Sequence, residues 1–366
     1  MFTNRNKNQN DKFYMSLAFL QAAKMLGNTK ENPAVGCVIT KNNNIIAAGH
    51  TSINGRPHAE QNAINEAKGI LKNSKLYVTL EPCSHYGKTP PCVNSIIKSK
   101  IKKVFFSLKD YDLRSFNKAK EKLNLKKISV ISGVLKNQGY YFYKSYHKFK
   151  NKKLPFVTCK LAISKDYYTV NLKNKFVTNE FSRGRVHLMR SQHDCILTTS
   201  KTVKKDNPLL NCRIKGLEKT SPTRIIIDSQ ISISLNSRII KDSKNTPTII
   251  FYNKENKKKI NLLNKLKVKS YKIDLDNNYV NLKNLLIKIK QLGFSRIFVE
   301  SGFTLQKNLL DKNLVDEFKM FISGNSLGKK GRFSIKNYSK KFFMKRRHNK
   351  INVNLLGDRL ISYKLK

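Results

Sequence analysis

A histidine, a glutamate and two cysteines stand close together in the first hundred residues, at a spacing that suits a catalytic metal. They are His58 and Glu60 in HAEQNAINEAKG, and Cys83 and Cys92 in LEPCSHYGKTPPC. A catalytic zinc takes three protein ligands, commonly histidine nitrogen and cysteine sulfur, and keeps a fourth position for water. The sequence therefore predicts an open zinc site with His58, Cys83 and Cys92 as its ligands.

Glu60 stands two residues after the predicted histidine ligand. A helix turns by about 100° per residue, so the Glu60 carboxylate is free to face a water molecule on the metal. A carboxylate there can take a proton from the water and pass it to a leaving nitrogen. His-x-Glu, followed by Pro-Cys and a further Cys, is the pattern of zinc-dependent nucleobase deaminases. We therefore predict Glu60 as the catalytic proton shuttle.

Two other interpretations of these residues stay open on the sequence alone. In the first, His58 caps a helix, and Cys83 and Cys92 are buried apolar residues. In the second, a closed structural zinc has His85 or Cys37 as its fourth ligand. The joint occurrence of both motifs favours the catalytic zinc over a generic Cys/His site. We expect His85 to support the loop or to contact the substrate.

The elements around these residues alternate between helix and strand. The spacing of apolar residues predicts helices over 13–26, 58–67, 92–98 and 116–123. Strands are predicted at VGCVIT, NIIAAGH, KLYVTL, KVFFSL and ISVISGVL. Such alternation indicates a largely parallel sheet with helices on both faces.

A charge-rich segment, KSYHKFKNKKLP at 144–155, is the best candidate for a domain boundary. Beyond it the alternation of strands and helices resumes, which indicates a second α/β domain. We therefore place the two domains at 1–148 and 149–366.

The composition is strongly basic, with a formal net charge of +50. Clustered Lys and Arg would favour a nucleic-acid partner. Here the lysines are spread along the chain, and abundant Asn, Ile, Tyr and Phe without Trp favour the codon bias of an A/T-rich genome. We find no apolar run of about 18 residues and no apolar signal-peptide core. Six cysteines in so long a chain do not indicate a disulfide scaffold. We expect a cytoplasmic protein without a membrane or specific nucleic-acid partner.

Three segments, NPAVGCVI, GHTSINGRPHAE and LEPCSHYGKTPPC, resemble the bifunctional deaminase–reductases of riboflavin biosynthesis. The eight residues between Cys83 and Cys92 are the discriminating detail, since cytidine and tRNA adenosine deaminases typically have two there. The resemblance covers nearly the whole chain. It implies a cytidine-deaminase-like three-layer αβα domain, followed by a dihydrofolate-reductase-like α/β domain.

Two successive reactions are implied by this resemblance. The first is the zinc-dependent hydrolytic deamination of a diaminopyrimidinone that carries a ribosylamino 5-phosphate, with one Zn²⁺ per chain and Asn32 near the pyrimidine. In the second, NADPH reduces the ribosylamino side chain to ribitylamino. The implied partners are small phosphorylated pyrimidines, and a homo-oligomer is compatible with the family. An RNA-editing deaminase is a less favoured alternative, because the long cysteine gap speaks against it.

The second half of the chain matches the reductase motifs of the family in KLAIS, HLMRSQ, TTSKTVKKDNPLLNCR, IIIDS and VESGFTLQKN. The resemblance implies substrate contacts for Asn174, Arg190, Leu210, Arg213 and Glu300. It implies NADPH contacts for Ala162, Phe176, Thr202, Asp206, Ser229, Gly302, Phe303, Thr304, Leu305, Gln306, Lys307 and Asn308. Gly302 follows a predicted strand and opens a helix, and the N–H groups of a helix start bind phosphate.

Three departures from the family pattern fall in this half. Tyr167 replaces a glycine, Asn174 replaces a serine, and Phe176 replaces a tryptophan. Phenylalanine can still stack on a cofactor ring, and asparagine can still form hydrogen bonds. A glycine, however, often marks a positive φ or a close approach. The departures therefore leave a second alternative open, an active deaminase whose reductase domain has lost catalysis.

Overall fold

The structure, a computed structural model, describes residues 7–69, 71–112, 114–152, 154–276 and 279–366. The chain divides into two compact units, Met1–Lys153 and Leu154–Lys366, and each has its own hydrophobic core. Most of the segment expected to link the domains is a helix, Lys144–Asn151, within the first unit; Lys153 lies outside the described residues. Within the described ranges, no helix is long and apolar enough to span a membrane.

The first unit is built on a five-stranded mixed sheet. Its strands are β1 (Gly36–Lys41), β2 (Asn44–His50), β3 (Lys75–Leu80), β4 (Lys103–Leu108) and β5 (Ser129–Ser132). Its helices are α1 (Lys7–Ala23), α2 (Ala59–Glu66), α3 (Cys92–Lys98), α4 (Lys118–Leu125), α5 (Lys136–Phe142) and α6 (Lys144–Asn151). The strand order is β2-β1-β3-β4-β5. β1 runs antiparallel to its neighbours β2 and β3, whereas the other four strands share one direction, so the expected largely parallel sheet is found except at β1.

Two glycines let helices pack closely on opposite faces of this sheet. A Cβ at Gly36 would lie 1.9 Å from the carbonyl oxygen of Ala18 in α1, and one at Gly49 would lie 2.6 Å from that of Ala59 in α2. Gly49 is paired across the sheet with Cys37, the neighbour of Gly36, so the two glycines face opposite sides. The predicted three-layer αβα architecture of the first unit is confirmed.

The second unit is built on a nine-stranded sheet in the order β11-β10-β9-β8-β14-β6-β15-β18-β17. Two small sheets, β16-β7 and β12-β13, lie apart from it. The strands of this unit among the described residues are β6 (Phe156–Ile163), β7 (Tyr168–Asn171), β8 (Cys195–Thr199), β9 (Thr223–Ile227), β10 (Thr248–Tyr252), β11 (Val268–Lys272), β12 (Leu275–Asp276), β13 (Tyr279–Val280), β14 (Arg296–Val299), β15 (Glu317–Ile322), β16 (Gly331–Ser334), β17 (His348–Lys350) and β18 (Arg359–Lys364). Its helices are α7 (Glu180–Ser191), α8 (Ser200–Asp206), α9 (Arg238–Lys241), α10 (Lys257–Lys265), α11 (Leu282–Gln291), α12 (Phe303–Asp311) and α13 (Lys336–Tyr338).

Parallel strands in the middle of this sheet bring several chain segments to one edge. β8 lies between β9 and β14 and runs parallel to both. The chain passes from β8 outward to β9 and later returns on the other side of β8 as β14. Ligands of such sheets bind outside the carboxyl ends of the strands, where the strand order reverses. The starts of α8 and α12 are therefore placed for binding.

Candidate active sites

His58, Cys83 and Cys92 converge in the first unit. Their ligand atoms all lie within 4.8 Å of one another. His58 Nδ1 is 3.3 Å from Cys92 Sγ and 3.6 Å from Cys83 Sγ. His58 directly precedes α2 and Cys92 begins α3, so two helix N-termini, which favour negative charge, lie beside the thiol groups.

This group of donor atoms fits zinc. One imidazole nitrogen and two sulfurs are the donors of an open zinc site, and a fourth side is left for water. Neither His85 nor Cys37 belongs to the group. His85 Nδ1 is instead 2.8 Å from Ser115 Oγ, and Cys37 is fully buried in β1. The arrangement favours three ligands over a closed four-ligand site.

The two thiols of the cluster differ in protonation. A hydrogen bond from Cys92 lowers the pKa of Cys83, which favours the thiolate that binds metals, whereas the same bond and burial raise the pKa of Cys92. Glu60 is only 3% exposed, and burial raises the pKa of its carboxyl to about 7. A group with a pKa near the working pH can both accept and release a proton.

The cluster opens into a pocket that is continuous with solvent. His58, Glu60 and Cys83 line its inner part. The polar and charged side chains of the remaining wall are those of Asn32, Thr51, Arg56, Glu81, His85, Asp110, Asp112, Arg114, Tyr146 and Lys150. Asn32, which the sequence predicts near the pyrimidine, is thus a pocket residue. The wall carries both donors and acceptors, as recognition of a polar heterocycle requires.

A second polar cluster lies at the carboxyl end of β14 in the second unit. Arg190 of α7 forms two parallel hydrogen bonds with Glu300, 2.6 Å from Nε to Oε1 and 3.0 Å from Nη2 to Oε2. Burial opposes the charged form of Glu300, but the Arg190 guanidinium outweighs burial and lowers the pKa of the carboxyl. Glu300 is therefore held as a buried, ionised hydrogen-bond acceptor.

Arg213 is joined to this cluster through its neighbours. The Arg213 guanidinium donates to Asn211 Oδ1 at 2.9 Å, and Arg190 Nη1 donates to the Asn211 carbonyl at 3.0 Å. The Arg213 backbone N–H lies 3.2 Å from His187 Nδ1. The structure thus brings Arg190, Arg213 and Glu300 into one hydrogen-bonded network.

The ends of three parallel strands carry predicted cofactor residues. Thr202 follows β8, Ser229 follows β9, and Gly302 follows β14. Gly302 precedes α12, whose first turn has no side-chain cap and no acidic residue. A Cβ at Gly302 would meet no atom within 4 Å, so the start of α12 is open. An open helix N-terminus at a strand end fits the phosphates of a dinucleotide such as NADPH.

Two family models match the chain. The model of the RibD C-terminal domain matches residues 155–354, and that of the cytidine and deoxycytidylate deaminase zinc-binding region matches residues 8–108. The riboflavin biosynthesis protein RibD of Aquifex aeolicus is 34% identical over 320 residues, which are 87% of this chain and 88% of the relative. This chain belongs to the RibD family.

Other members of the family match over similar lengths. RibD of Escherichia coli is 31% identical over 338 residues, 88% of this chain and 90% of the relative. A solved diaminohydroxyphosphoribosylaminopyrimidine deaminase/5-amino-6-(5-phosphoribosylamino)uracil reductase from Thermotoga maritima is 30% identical, with a TM-score of 0.83. That match covers 98% of this chain and 99% of the solved one. The predicted pairing of a deaminase-like and a reductase-like domain is confirmed.

Residues 302–308, which are predicted to wrap around the cofactor, lie at the start of α12. They point to different sides of that helix and differ in exposure. Gln306 is fully buried, and its Nε2 donates to the carbonyls of Lys160 and Ser301 at 3.0 and 2.8 Å. Phe303 and Leu305 are half-buried against the core, whereas Gly302, Thr304, Lys307 and Asn308 are exposed. Cofactor contact by the buried and half-buried members remains a prediction.

The other predicted residues of the reductase half differ in exposure and in the residues around them. Phe176 is 51% exposed, and the Arg183 guanidinium stacks on its ring at 4.3 Å from the centroid. Asn174 is exposed in the turn after β7. The rest are Leu210, which is buried, Ala162, which lies in β6 beside Phe321 of β15, and Asp206, which is exposed at the end of α8.

Tyr167, which replaces the family glycine, has the backbone conformation that a glycine would favour. Its φ is 72°, in the left-handed region. The turn is held by a hydrogen bond of 3.0 Å from the Tyr167 N–H to the Ser164 carbonyl. Asp166 accepts backbone hydrogen bonds from Leu327 and Gly328, and the Tyr167 ring packs against the core. The turn therefore keeps the geometry that the family motif indicates.

Several pocket residues were not predicted from the sequence. Asp110 and Asp112 follow β4, and Tyr146 and Lys150 lie in α6. One signal for the two aspartates was available: they follow the strand KVFFSL as the Cys83 loop follows KLYVTL, and parallel strands end at one edge. The sequence did not indicate that α6 lines the pocket, because this charged segment has the composition of a linker.

Proposed function

We propose that this chain catalyses two successive steps of riboflavin biosynthesis. The first unit removes an amino group, by hydrolysis, from a diaminopyrimidinone that carries a ribosylamino 5-phosphate. The second unit reduces the ribosylamino side chain of the product to ribitylamino with NADPH. The observation that carries the proposal is the convergence of His58, Cys83 and Cys92 beside the buried Glu60 at the base of a polar pocket.

In the deamination, His58, Cys83 and Cys92 would hold one zinc ion. Bound zinc supplies the nucleophile by lowering the pKa of a water molecule toward 7. Glu60 takes a proton from the water, whose oxygen bonds to the ring carbon that carries the amino group, and delivers the proton to the amino nitrogen. The carbon–nitrogen bond then breaks and ammonia leaves, while the second water proton passes to the ring nitrogen, so that a ring carbonyl remains. Glu60 is 3% exposed and lines the pocket beside His58 and Cys83, which places its carboxyl for both proton transfers.

In the reduction, the open N-terminus of α12 would hold the cofactor phosphates, and NADPH supplies the hydride. Arg190 keeps Glu300 ionised, so that the carboxylate can accept hydrogen bonds from the hydroxyl groups of the substrate. The Arg213 guanidinium suits the substrate phosphate, since arginine binds phosphate in two-point geometry.

The deaminase function is assigned to 1–148 and the reductase function to 149–366. The two compact units support this assignment, although the first unit includes the whole of α6 and extends to residue 153. Neither alternative function is favoured. The match of the reductase model over 155–354 and the intact Arg190–Glu300 pair speak against a lost reductase. An RNA-editing deaminase would leave the second unit without a role.

The test uses the full, zinc-loaded chain. Ammonia release from the diaminopyrimidinone phosphate and NADPH oxidation with the deaminated product are measured in parallel, and both are expected. Glu60→Gln should abolish ammonia release and leave NADPH oxidation at the wild-type rate. Ammonia release without NADPH oxidation would refute the reductase assignment, and normal deamination by Glu60→Gln would refute the role of Glu60.

A further inference from the structure

Glu81 is a buried carboxylate beside the metal cluster that takes no part in the proposed proton transfer. It directly follows β3, two residues before Cys83, and is 3% exposed. Its oxygens accept three backbone N–H groups, each at 3.2 Å: Oε2 from Asp110 and Asn117, and Oε1 from Ala119. Burying a carboxylate is costly unless hydrogen bonds satisfy it, so these three bonds fix the group in place.

The three donors belong to one loop and the helix that follows. We call residues 109–117, between β4 and α4, the pocket loop; Leu113 within it lies outside the described residues. Asp110 is near the beginning of the loop, and Asn117 and Ala119 lie at the start of α4. A negative charge at a helix N-terminus is also favoured by the helix dipole. Glu81 thus fastens both ends of the pocket loop to the end of β3.

Between these two attachment points, the pocket loop carries side chains that line the deaminase pocket. The Asp112 N–H donates to Asp110 Oδ1 at 3.0 Å, and Arg114 donates to both Asp112 oxygens, at 2.9 and 2.6 Å. Ser115, which is fully buried, places its Oγ 2.8 Å from Nδ1 of His85, another pocket residue. The position of this wall therefore depends on the position of the pocket loop.

We propose that Glu81 is a positioning residue of the deaminase, which shapes the substrate-binding wall by fixing the pocket loop at both ends. The proposal rests on the deaminase function proposed above. The zinc ligands are held by bonds that do not involve the Glu81 carboxylate: His58 Nδ1 lies beside both sulfurs, and the Cys92 N–H donates to Cys83 Sγ at 3.2 Å. Loss of the Glu81 carboxylate should therefore weaken substrate binding more than it slows the chemical step.

Two substitutions at Glu81 remove its hydrogen-bond acceptors in part or in full. In Glu81→Gln the remaining carbonyl oxygen can still accept from Asp110 and Asn117, while its amide group faces the Ala119 N–H; Glu81→Ala removes all three acceptors. We expect KM for the diaminopyrimidinone phosphate to rise about tenfold in the glutamine variant and further in the alanine variant, since each unsatisfied buried donor is costly. The turnover number should fall less than KM rises. Zinc should stay at one ion per chain, and NADPH oxidation should be unchanged.

A matched control separates positioning from a general loss of stability. Val104→Ala in β4 removes a fully buried side chain from the same core without touching the pocket. It should lower the melting temperature and leave KM unchanged. In amide hydrogen exchange, Asp110, Asn117 and Ala119 should exchange faster in Glu81→Gln than in Val104→Ala.

A milder variant decides the matter if Glu81→Gln and Glu81→Ala do not fold. Glu81→Asp keeps the charge, but its side chain is one methylene shorter and no longer reaches all three donors, so we expect its KM to rise about threefold. A wild-type KM in Glu81→Gln, or in Glu81→Asp if the former does not fold, would overturn the proposal. Loss of zinc in parallel with activity would also overturn it, because Glu81 would then support the metal ligands. A wild-type chain that releases no ammonia would instead refute the proposed function, and the positioning role with it.

Discussion

Arg190 and Glu300 form a two-point ion pair between α7 and the end of β14, with both side chains largely buried, 12% and 11% exposed. Glu300 opens the segment that leads into α12, so the pair ties a substrate-side helix to the strand that precedes the proposed cofactor site. The guanidinium also reaches the Asn211 carbonyl in the loop that carries Arg213. One side chain thereby connects the two parts of the predicted reductase site.

Removing one partner of this pair should cost more than removing both. Arg190→Met should lower the free energy of unfolding of the second unit by about 3 kcal/mol, because it leaves the Glu300 charge buried without a partner. Arg190→Met combined with Glu300→Gln should recover part of that loss. Urea denaturation of Arg190→Met, Glu300→Gln, the double variant and the wild type gives the coupling energy. If the losses of stability in the two single variants add up to the loss in the double variant, the pair contributes no coupling energy. All three variants should lose NADPH oxidation and keep ammonia release.

The stability of the second unit should fall on acidification because of His187. Burial, with Arg190 and Arg213 nearby, lowers the pKa of His187 to about 4, whereas the unfolded value is about 6.5. Between these two values the unfolded chain binds the proton and the folded chain does not, so the free energy of unfolding falls as pH drops from about 6.5 to about 4. His187→Gln should flatten this dependence. Denaturant titrations across that range measure it, and an equal slope in both proteins would contradict the prediction.

Removal of zinc should destabilise the first unit and leave the second unit unchanged. A ligand that binds only the folded state stabilises it by mass action, by about 4 kcal/mol at a thousand times the dissociation constant. A chelator should therefore lower the melting temperature of the first unit and abolish ammonia release, while NADPH oxidation continues. Cys92→Ser is the control, since a chelator should have little effect on a chain that lacks one ligand. If the chelator lowered the melting temperature equally in the wild type and in Cys92→Ser, the result would argue against the three-residue site.

The sequence was sufficient for elements and residues that depend on local patterns. β3, β4 and α3 coincide with the predicted segments, because continuous apolar strands and a Pro-Cys helix start are local signals. The predicted strand over ISVISGVL ends earlier, at Ser132, because Gly133 and Leu135 both adopt positive φ. The three predicted metal ligands come together as expected, since two of them adjoin helix starts.

The pocket wall could not be predicted in the same way, because it depends on contacts between distant residues. Asp110 is placed by Glu81 and by the Tyr146 hydroxyl, 36 residues along the chain, which donates to its Oδ1 at 3.1 Å. Such contacts are set by strand register and helix packing, and local composition predicts neither. For the same reason, α6 had the composition of a linker although two of its residues line the pocket.

The RibD family has a glycine where this chain has Tyr167. The left-handed backbone at this position is a testable reason for that glycine. At a φ of 72° an ordinary residue carries a strain of about 1 kcal/mol that glycine avoids. Tyr167→Ala removes the ring and keeps this strain, whereas Tyr167→Gly removes both, so the glycine variant should be the more stable by about 1 kcal/mol. At the neighbouring Tyr168, an extended residue of β7, the order should reverse, because glycine weakens a strand. Thermal and urea unfolding of the four variants measure both differences. The same order at both positions would mean that the left-handed backbone is not what selects glycine here.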